Sequence, residues 1–165
     1  MPDQLPEGFK REKVWDYPRP PLLETVPHRI KVVFAGQTIA DSSDCFRVLE
    51  TSHPPTYYIP PEAFASGALK PVSGRSLCEW KGAAQYFDVV ATDGTRRAER
   101  AAWCYPTPTR AFERIRDFVS LYASQMDRCS VGPLEVMAQD GDFYGGWITP
   151  NLEGPFKGAP GTLHW

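Results

Sequence analysis

The sequence predicts a single, mainly β domain with one amphipathic helix. Several short segments alternate polar and apolar residues, and only one segment repeats apolar residues at helical spacing. The 165 residues include 17 Pro and 13 Gly, which leave room for few long helices. A chain of this length buries one sizeable core and is too short for two ordinary domains.

The chain divides into three consecutive stretches. Residues 1–28 form a Pro-rich, extended arm, in which Trp15 and Tyr17 are expected to anchor polyproline II structure on the domain. Residues 29–128 hold the strand patterns and form the core β domain. Residues 129–165 begin as a strand and continue as a Gly-, Pro- and aromatic-rich segment, which we expect to wrap the domain or a second subunit.

The first strand signals lie in the middle of the chain. Residues 29–34 alternate, meet a turn at Gly36-Gln37 and return over residues 38–41, which predicts a hairpin. Residues 46–51 alternate again. Residues 56–59 form a short aromatic strand bounded by prolines.

The next elements follow in order. Pro61 can start a single helical turn. The apolar strand 86–90 is joined by the turn signal Asp93-Gly94 to a partner strand over about residues 96–103. Apolar residues at helical spacing then predict the amphipathic helix near residues 109–122. Those apolar residues are Ala111, Phe112, Ile115, Phe118 and Val119.

Composition excludes several classes of partner. The formal net charge of −2 argues against binding to nucleic acid or to an anionic membrane. The one basic cluster, Arg96, Arg97 and Arg100, is interrupted by Glu99 and is expected to be a solvated strand or turn. No apolar run is long enough to span a bilayer. The first residues do not resemble a signal peptide, so we expect a cytoplasmic protein.

The four cysteines are Cys45, Cys78, Cys104 and Cys129. They are far apart in sequence, and none forms the Cys-x-x-Cys spacing of a zinc or redox site. We therefore expect four reduced thiols and predict neither a metal nor a cofactor.

Side chains able to do chemistry concentrate in three clusters, residues 49–60, 76–82 and 102–106. In them, Cys78 is a candidate nucleophile, since a bend at Gly82 could bring the Lys81 ammonium towards its sulfur and lower the thiol pKa. His53, held by two following prolines, is a candidate general base that Glu50 could orient. The alternatives are a buried thiol and a histidine that braces a turn.

The same clusters are rich in aromatic rings, which can build an apolar pocket with a few polar groups. Lys81 could supply its one positive charge for a carboxylate or phosphate, although it could equally be a solvated lysine. Each ring could instead be core. The candidate ligand-binding residues are Lys81, Tyr58, Trp80, Tyr86, Trp103 and Tyr105.

The ordered clusters His-Pro-Pro-x-Tyr-Tyr, Cys-x-x-Lys-Gly-x-Ala-x-Tyr and Ala-Ala-Trp-x-Tyr-Pro resemble a bacterial family, domain of unknown function number 427, over about residues 29–126. The segments 15–18 and 144–147 resemble extensions that some members have. The resemblance implies tent-like antiparallel sheets similar to the Mss-four type. Zinc in those relatives is bound by two Cys-x-x-Cys pairs, which this chain lacks.

The family is sometimes labelled nucleotidyltransferase-like. Such enzymes need paired acids that hold Mg²⁺ against a triphosphate. The nearest pairs here are Asp41 with Asp44 and Asp140 with Asp142, and the second is expected to be a turn. The sequence does not support the label.

We therefore expect a small-molecule-binding domain whose aromatic pocket holds a ligand, with an anion as one option, through Lys81, Tyr58 and His53. One alternative is a cysteine-dependent enzyme that uses Cys78 with His53 and Glu50. Another is a structural protein whose terminal segments form a homodimer. The sequence leaves open whether any reaction is catalysed.

Overall fold

Antiparallel pairing dominates the computed structural model, as the alternating segments predict. It describes residues 5–78, 81–139, 145–158 and 161–162, with the backbone alone at residues 75–78. The strands are β1 (Glu12–Lys13), β2 (Leu22–Thr25), β3 (Ile30–Phe34), β4 (Gln37–Ser42), β5 (Phe46–Leu49), β6 (Thr56–Tyr58), β7 (Leu69–Cys78), β8 (Gly82–Val90), β9 (Arg97–Cys104), β10 (Val119–Leu121), β11 (Arg128–Val131), β12 (Leu134–Glu135), β13 (Met137–Ala138), β14 (Trp147–Ile148) and β15 (Leu152–Glu153). The mainly β prediction is confirmed.

These strands form several small sheets. One four-stranded sheet has the order β10-β9-β8-β7, and another has the order β12-β11-β3-β4. A three-stranded sheet has the order β2-β5-β6. Two pairs complete the set: β13 with β14 antiparallel, and β1 with β15 parallel. Four short 3-10 helices cover Val14–Asp16, Pro61–Ala63, Arg110–Ile115 and Ala123–Gln125.

Both hairpins expected from turn signals are present. The β3–β4 turn uses Ala35 and Gly36, which have φ angles of 53° and 75°. It lies one residue earlier than the predicted turn at Gly36-Gln37. The β8–β9 connection contains Gly94, with φ of 74°. At its end Arg96 and Arg97 form ion pairs with acidic side chains, so the basic cluster is a charge-balanced surface.

Strand β7 is an element that the sequence patterns did not predict. Pro71 cannot donate a ladder hydrogen bond, but β7 is the edge of its sheet, where one side needs no donor. The pairing register with β8 shifts between Val72 and Arg75, around Gly74 with its φ of 97°. A bulge therefore accommodates the glycine inside a long strand.

The predicted helix over residues 109–122 is much shorter than expected. It is a 3-10 helix over Arg110–Ile115, with non-helical backbone angles at Phe112. Asp117 has a φ of 63°, which a right-handed helix does not allow, so the helix cannot continue past this residue. The following apolar residues form β10 and pair with β9. All three β10 residues are buried. The helical spacing therefore ends in a segment, beginning at Val119, that is a buried strand.

The core has two parts. The first lies between the two four-stranded sheets and includes Ile30, Phe34, Val89 and Leu121. The second lies where the β10-β9-β8-β7 sheet meets the β2-β5-β6 sheet and the Arg110–Ile115 helix. Its buried members are Val48, Tyr58, Ala84, Trp103, Tyr105, Phe112 and Ile115.

Both terminal segments contact the domain. The N-terminal segment adds β2 to β5, and the Trp15 indole donates a 2.7 Å hydrogen bond to the Pro155 carbonyl. The C-terminal segment supplies β15, which pairs with β1. Within the described ranges, no helix is both long and apolar enough to cross a membrane.

Candidate functional site

The turn between β5 and β6 brings two of the predicted site residues together. The His53 amide donates a 3.0 Å hydrogen bond to the Glu50 carbonyl, which closes a four-residue turn. Ser52, third in that turn, has a φ of 71°, a conformation that usually favours Gly. His53 Nε2 therefore lies 3.8 Å from Glu50 Oε2. The two side chains are in contact, but too far apart for a hydrogen bond.

The N-terminal segment holds this turn through its backbone. The Thr51 amide donates to the Pro18 carbonyl at 3.2 Å, and the Ser52 amide donates to the Val14 carbonyl at 3.0 Å. The Thr51 hydroxyl donates to the Tyr17 carbonyl at 2.6 Å. The segment thus satisfies polar groups that a short loop would otherwise expose to water.

Two cationic residues bond to the same turn. Arg19 Nη2 donates to the Thr51 carbonyl at 3.1 Å, and Arg19 Nε lies 3.5 Å from Glu50 Oε2. The Lys157 amide donates to the Ser52 carbonyl at 2.9 Å. One residue precedes the core domain in sequence and the other follows it, so the turn is held from both ends of the chain.

The environment of His53 favours its neutral form. Burial, together with the positive charges of Lys157, Lys81 and Arg19, lowers the pKa of His53 from 6.5 to about 4. The nearby Glu50 carboxylate would oppose this shift, but burial and three cations outweigh it. At neutral pH the imidazole is uncharged and can both donate and accept a hydrogen bond.

Lys81 lies in the connection between β7 and β8, immediately before β8. Its carbonyl accepts a 3.0 Å hydrogen bond from the Thr109 amide. Its Nζ lies 5.8 Å from the centroid of the Tyr105 ring, in cation–π range. The Tyr105 ring contacts that of Tyr58 at 6.4 Å between centroids. The structure thus places Lys81, two predicted tyrosines and the His53 turn in one neighbourhood.

Most of the predicted ligand-binding rings are core residues. Tyr58, Trp103 and Tyr105 are all less than one-tenth exposed. Tyr58 and its neighbour Tyr57 are buried in different parts of the core. Tyr86 is half-buried and lies beneath the Arg100 guanidinium at 4.2 Å. Among the described predicted rings, two have a cation beside them: Tyr105 has Lys81 and Tyr86 has Arg100.

The predicted nucleophile is only partly described. The Cys78 backbone pairs with Gly82 at the end of the β7–β8 hairpin. Its thiol lies outside the described part of the structure, as does Trp80. Cys45, Cys104 and Cys129 are buried and form no disulfide with another described residue.

The acidic pairs form no metal site where they are described. Asp41 forms an ion pair with Arg29, with Oδ1 2.6 Å from Nε. Asp140 and Asp142 lie outside the described residues. Across the described ranges, no group of three or more His, Cys, Asp or Glu side chains is arranged to hold a metal ion.

Sequence reasoning missed a second polar cluster, centred on Arg47 of β5. Its two Nη atoms each lie 3.0 Å from a Glu12 carboxylate oxygen, and its Nε donates to Glu24 at 2.6 Å. Tyr17 donates a 2.5 Å hydrogen bond to Glu12. The guanidinium and the tyrosine help to lower the pKa of Glu12 against the effect of burial. This network borders a cavity of about 560 Å³ that His28 and Tyr57 also line.

Sequence reasoning also missed Arg19, Ser52 and Lys157. Their positions depend on contacts between distant segments, and no local pattern marks them. Among the described residues, the buried Ser52 hydroxyl has no hydrogen-bond partner, which is rare for a polar group.

No curated protein matches the chain. The model of the family described as a domain of unknown function, DUF427, matches residues 22–132, which is more than half of the chain. This range contains the His53 turn and all three clusters singled out from the sequence. The chain therefore belongs to the DUF427 family.

Proposed function

We propose that this protein binds a small anionic molecule at the His53 site, defined as Arg19, Glu50, His53, Lys81 and Lys157. The observation behind the proposal is the balance of charge around a largely buried, neutral imidazole. Three cationic side chains act on His53, and one carboxylate lies against it. An excess of positive charge in a partly desolvated site attracts an anion.

The supporting groups suit such a ligand. His53 and Lys81 offer N–H donors, and Arg19 presents a planar set of donors that matches carboxylate or phosphate oxygens. Tyr58 and Tyr105 are buried members of the second part of the core, and the Lys81 Nζ lies 5.8 Å from the Tyr105 ring centroid. An apolar neighbourhood of this kind would strengthen the interaction of Lys81 with an anion.

The test is the pKa of His53, measured by NMR titration of the imidazole with and without inorganic phosphate. A bound anion would offset the surrounding cations, so the pKa should rise from about 4 towards the ordinary value of 6.5. His28 is an internal control, since it stacks on Phe9 at 3.9 Å in another part of the molecule. Lys81→Gln should weaken binding, whereas Lys70→Gln on the exposed face of β7 should not. An unchanged His53 pKa at millimolar phosphate would reject the proposal.

A cysteine-dependent enzyme is the second candidate, because Glu50 does lie against His53 as that mechanism requires. The low pKa of His53 counts against it. A base with a pKa of about 4 accepts a proton poorly from a thiol with an ordinary pKa of about 8.5. Alkylation of Cys78 across pH, with and without His53→Ala, separates the candidates. A fast reaction below pH 7 that the variant abolishes would favour the enzyme.

The cytoplasmic location and the homodimer through the terminal segments stay predictions. Sedimentation of the full chain, compared with a chain shortened at residue 150, tests the second. If both sediment as monomers, the terminal segments serve the domain itself.

A further inference from the structure

We propose that the cavity beside Arg47 binds a small zwitterion with an apolar body, which is the chemistry of a free amino acid or a dipeptide. This proposal does not depend on the His53 site. Within the described ranges the cavity has a volume of about 560 Å³, which lies in the range of small-molecule sites. The N-terminal segment, strands β2, β5 and β6, and the C-terminal segment all contribute to its walls.

One wall of the cavity contains three residues that lie side by side on one sheet. Glu24 on β2 is opposite Arg47 on β5, which is in turn opposite Tyr57 on β6. Residues opposite each other on neighbouring strands share a face of the sheet. Arg47 Nε donates to Glu24 Oε1 at 2.6 Å, and its two Nη atoms bond to Glu12 at 3.0 Å. The guanidinium is therefore engaged by two carboxylates of the protein itself, so a ligand needs other partners.

Two charged groups remain open to a ligand in this cavity. The Glu24 side chain is 38% exposed, and its second oxygen, Oε2, accepts no hydrogen bond from a described residue. Lys10 is exposed and lines the cavity, and its ammonium donates no hydrogen bond within the described part of the structure. Its charge is among those that lower the pKa of Glu12 against the effect of burial, so the ammonium lies near that carboxylate. The described residues therefore leave one acceptor, at Glu24, and one cation, at Lys10, for a ligand.

The same cavity has apolar surface. Phe9 stacks on His28 with 3.9 Å between ring centroids and 15° between ring planes, and both residues line the cavity. Val26 is buried and lines it as well. The backbone of Lys10 is held by the 3.0 Å hydrogen bond that Asn151 Nδ2 donates to its carbonyl. An aromatic or aliphatic ligand body can pack here, and little of the site has to be ordered first.

The balance of charge selects the ligand class. The described lining holds two carboxylates and two cations, so a net charge on the ligand gains little from the cavity as a whole. A cation alone would use Glu24 and leave Lys10 without a partner, and an anion alone would do the reverse. A zwitterion uses both, since its ammonium can donate to Glu24 Oε2 and its carboxylate can accept from Lys10 Nζ.

The experiment compares ligands that share a phenyl ring and differ in charge. L-phenylalanine and L-alanyl-L-phenylalanine are the zwitterions, phenethylamine carries the positive charge alone, and 3-phenylpropionate carries the negative charge alone. Binding is measured at constant pH and ionic strength by the NMR shift of the His28 imidazole, with His53, outside the described lining, as the control. At least one zwitterion should shift His28 and bind more tightly than either singly charged ligand by at least about tenfold, the effect of one hydrogen bond to a charged group.

Two variants separate the contributions of the two open groups. Lys10→Gln should abolish the preference over phenethylamine and keep the preference over 3-phenylpropionate. Glu24→Gln, whose amide oxygen can still accept from Arg47, should abolish the preference over 3-phenylpropionate alone. Lys31→Gln and Glu135→Gln, at exposed positions outside the described lining, should keep both preferences.

Each outcome decides the proposal. If none of the four ligands shifts His28, the cavity is not such a site and the proposal is rejected. If a singly charged ligand binds as tightly as both zwitterions, or if Lys10→Gln keeps the preference over phenethylamine, the assignment of a zwitterion is wrong. Lys10 is exposed, so Lys10→Gln tests the proposal even if Glu24→Gln disturbs the Arg47 network and unfolds the chain. None of these results bears on phosphate binding at the His53 site.

Discussion

Replacing Ser52 with Gly should stabilise this protein, although most substitutions of a buried residue destabilise. Three features of Ser52 make the position unfavourable for its side chain. Its φ is 71°, it is completely buried, and its hydroxyl has no hydrogen-bond partner in the described part of the chain. Ser52→Gly removes the first and the third together, while the backbone bonds to Val14 and Lys157 can remain.

The expected gain follows from the individual contributions. The left-handed conformation costs an L-residue about 1–2 kcal/mol, and a buried hydroxyl without a partner costs about 1–3 kcal/mol. Against this, Gly loses about 0.5–1 kcal/mol more conformational entropy on folding, and about 0.8 kcal/mol of packing is lost with the side-chain carbon. The net effect is a gain of about 2 kcal/mol. For a chain of this size that raises Tm by about 4–8 °C.

Thermal and urea unfolding of wild-type protein, Ser52→Gly and Ser52→Ala would measure this gain. Ser52→Ala removes the hydroxyl but keeps the Cβ, so it should gain about 2 kcal/mol as well. The strain that Ser52→Gly relieves in addition is offset by its losses of entropy and packing. A Ser52→Gly variant less stable than wild type would refute the reasoning. A Ser52→Ala variant equal to wild type would mean that the buried hydroxyl carries no penalty.

Three further predictions concern charged and thiol groups. Arg47→Met leaves two carboxylates without their cation and should lower the free energy of unfolding, measured by urea titration, by about 3 kcal/mol. Arg128→Met, at an exposed ion pair, should change it by less than about 0.5 kcal/mol. The free energy of unfolding should fall by about 3 kcal/mol as pH drops from 6.5 towards about 4. Between these pH values His53 binds a proton in the unfolded chain but not in the native protein. His53→Gln should therefore flatten this part of the pH profile of stability. Burial raises the pKa of Cys45 to about 11 and that of Cys129 to about 12, so neither should be alkylated at pH 8 until the protein is unfolded, as mass spectrometry of the peptides would show.

Local patterns predicted the elements that local physics determines. Alternation located β3 and β5, the turn signal at Gly36 located β4, and an apolar run located β8, which Asp93-Gly94 joins to β9. The patterns failed at β7, because Pro71 and Gly74 are tolerated there only through its edge position and its bulge. They also failed at β10, because its first residue, Val119, continues the helical spacing of the preceding apolar residues.

The same division applies to the candidate site. Glu50 and His53 are three residues apart, so a single turn brings them together, and the sequence could suggest the pair. Arg19 and Lys157 reach that turn from opposite ends of the chain. Their approach depends on the pairing of β1 with β15 and of β2 with β5, which no periodicity in the sequence encodes.

The hydrogen bond between Trp15 and Pro155 joins residues 140 positions apart. Contacts at such separation form late in folding, because a long loop must close before they stabilise anything. During synthesis the core sheets can pair while the C-terminal segment is still in the ribosome. The His53 turn gains its last support only when that segment arrives. A chain released early would therefore keep a β core but would lack the hydrogen bond that the Lys157 amide donates to the Ser52 carbonyl.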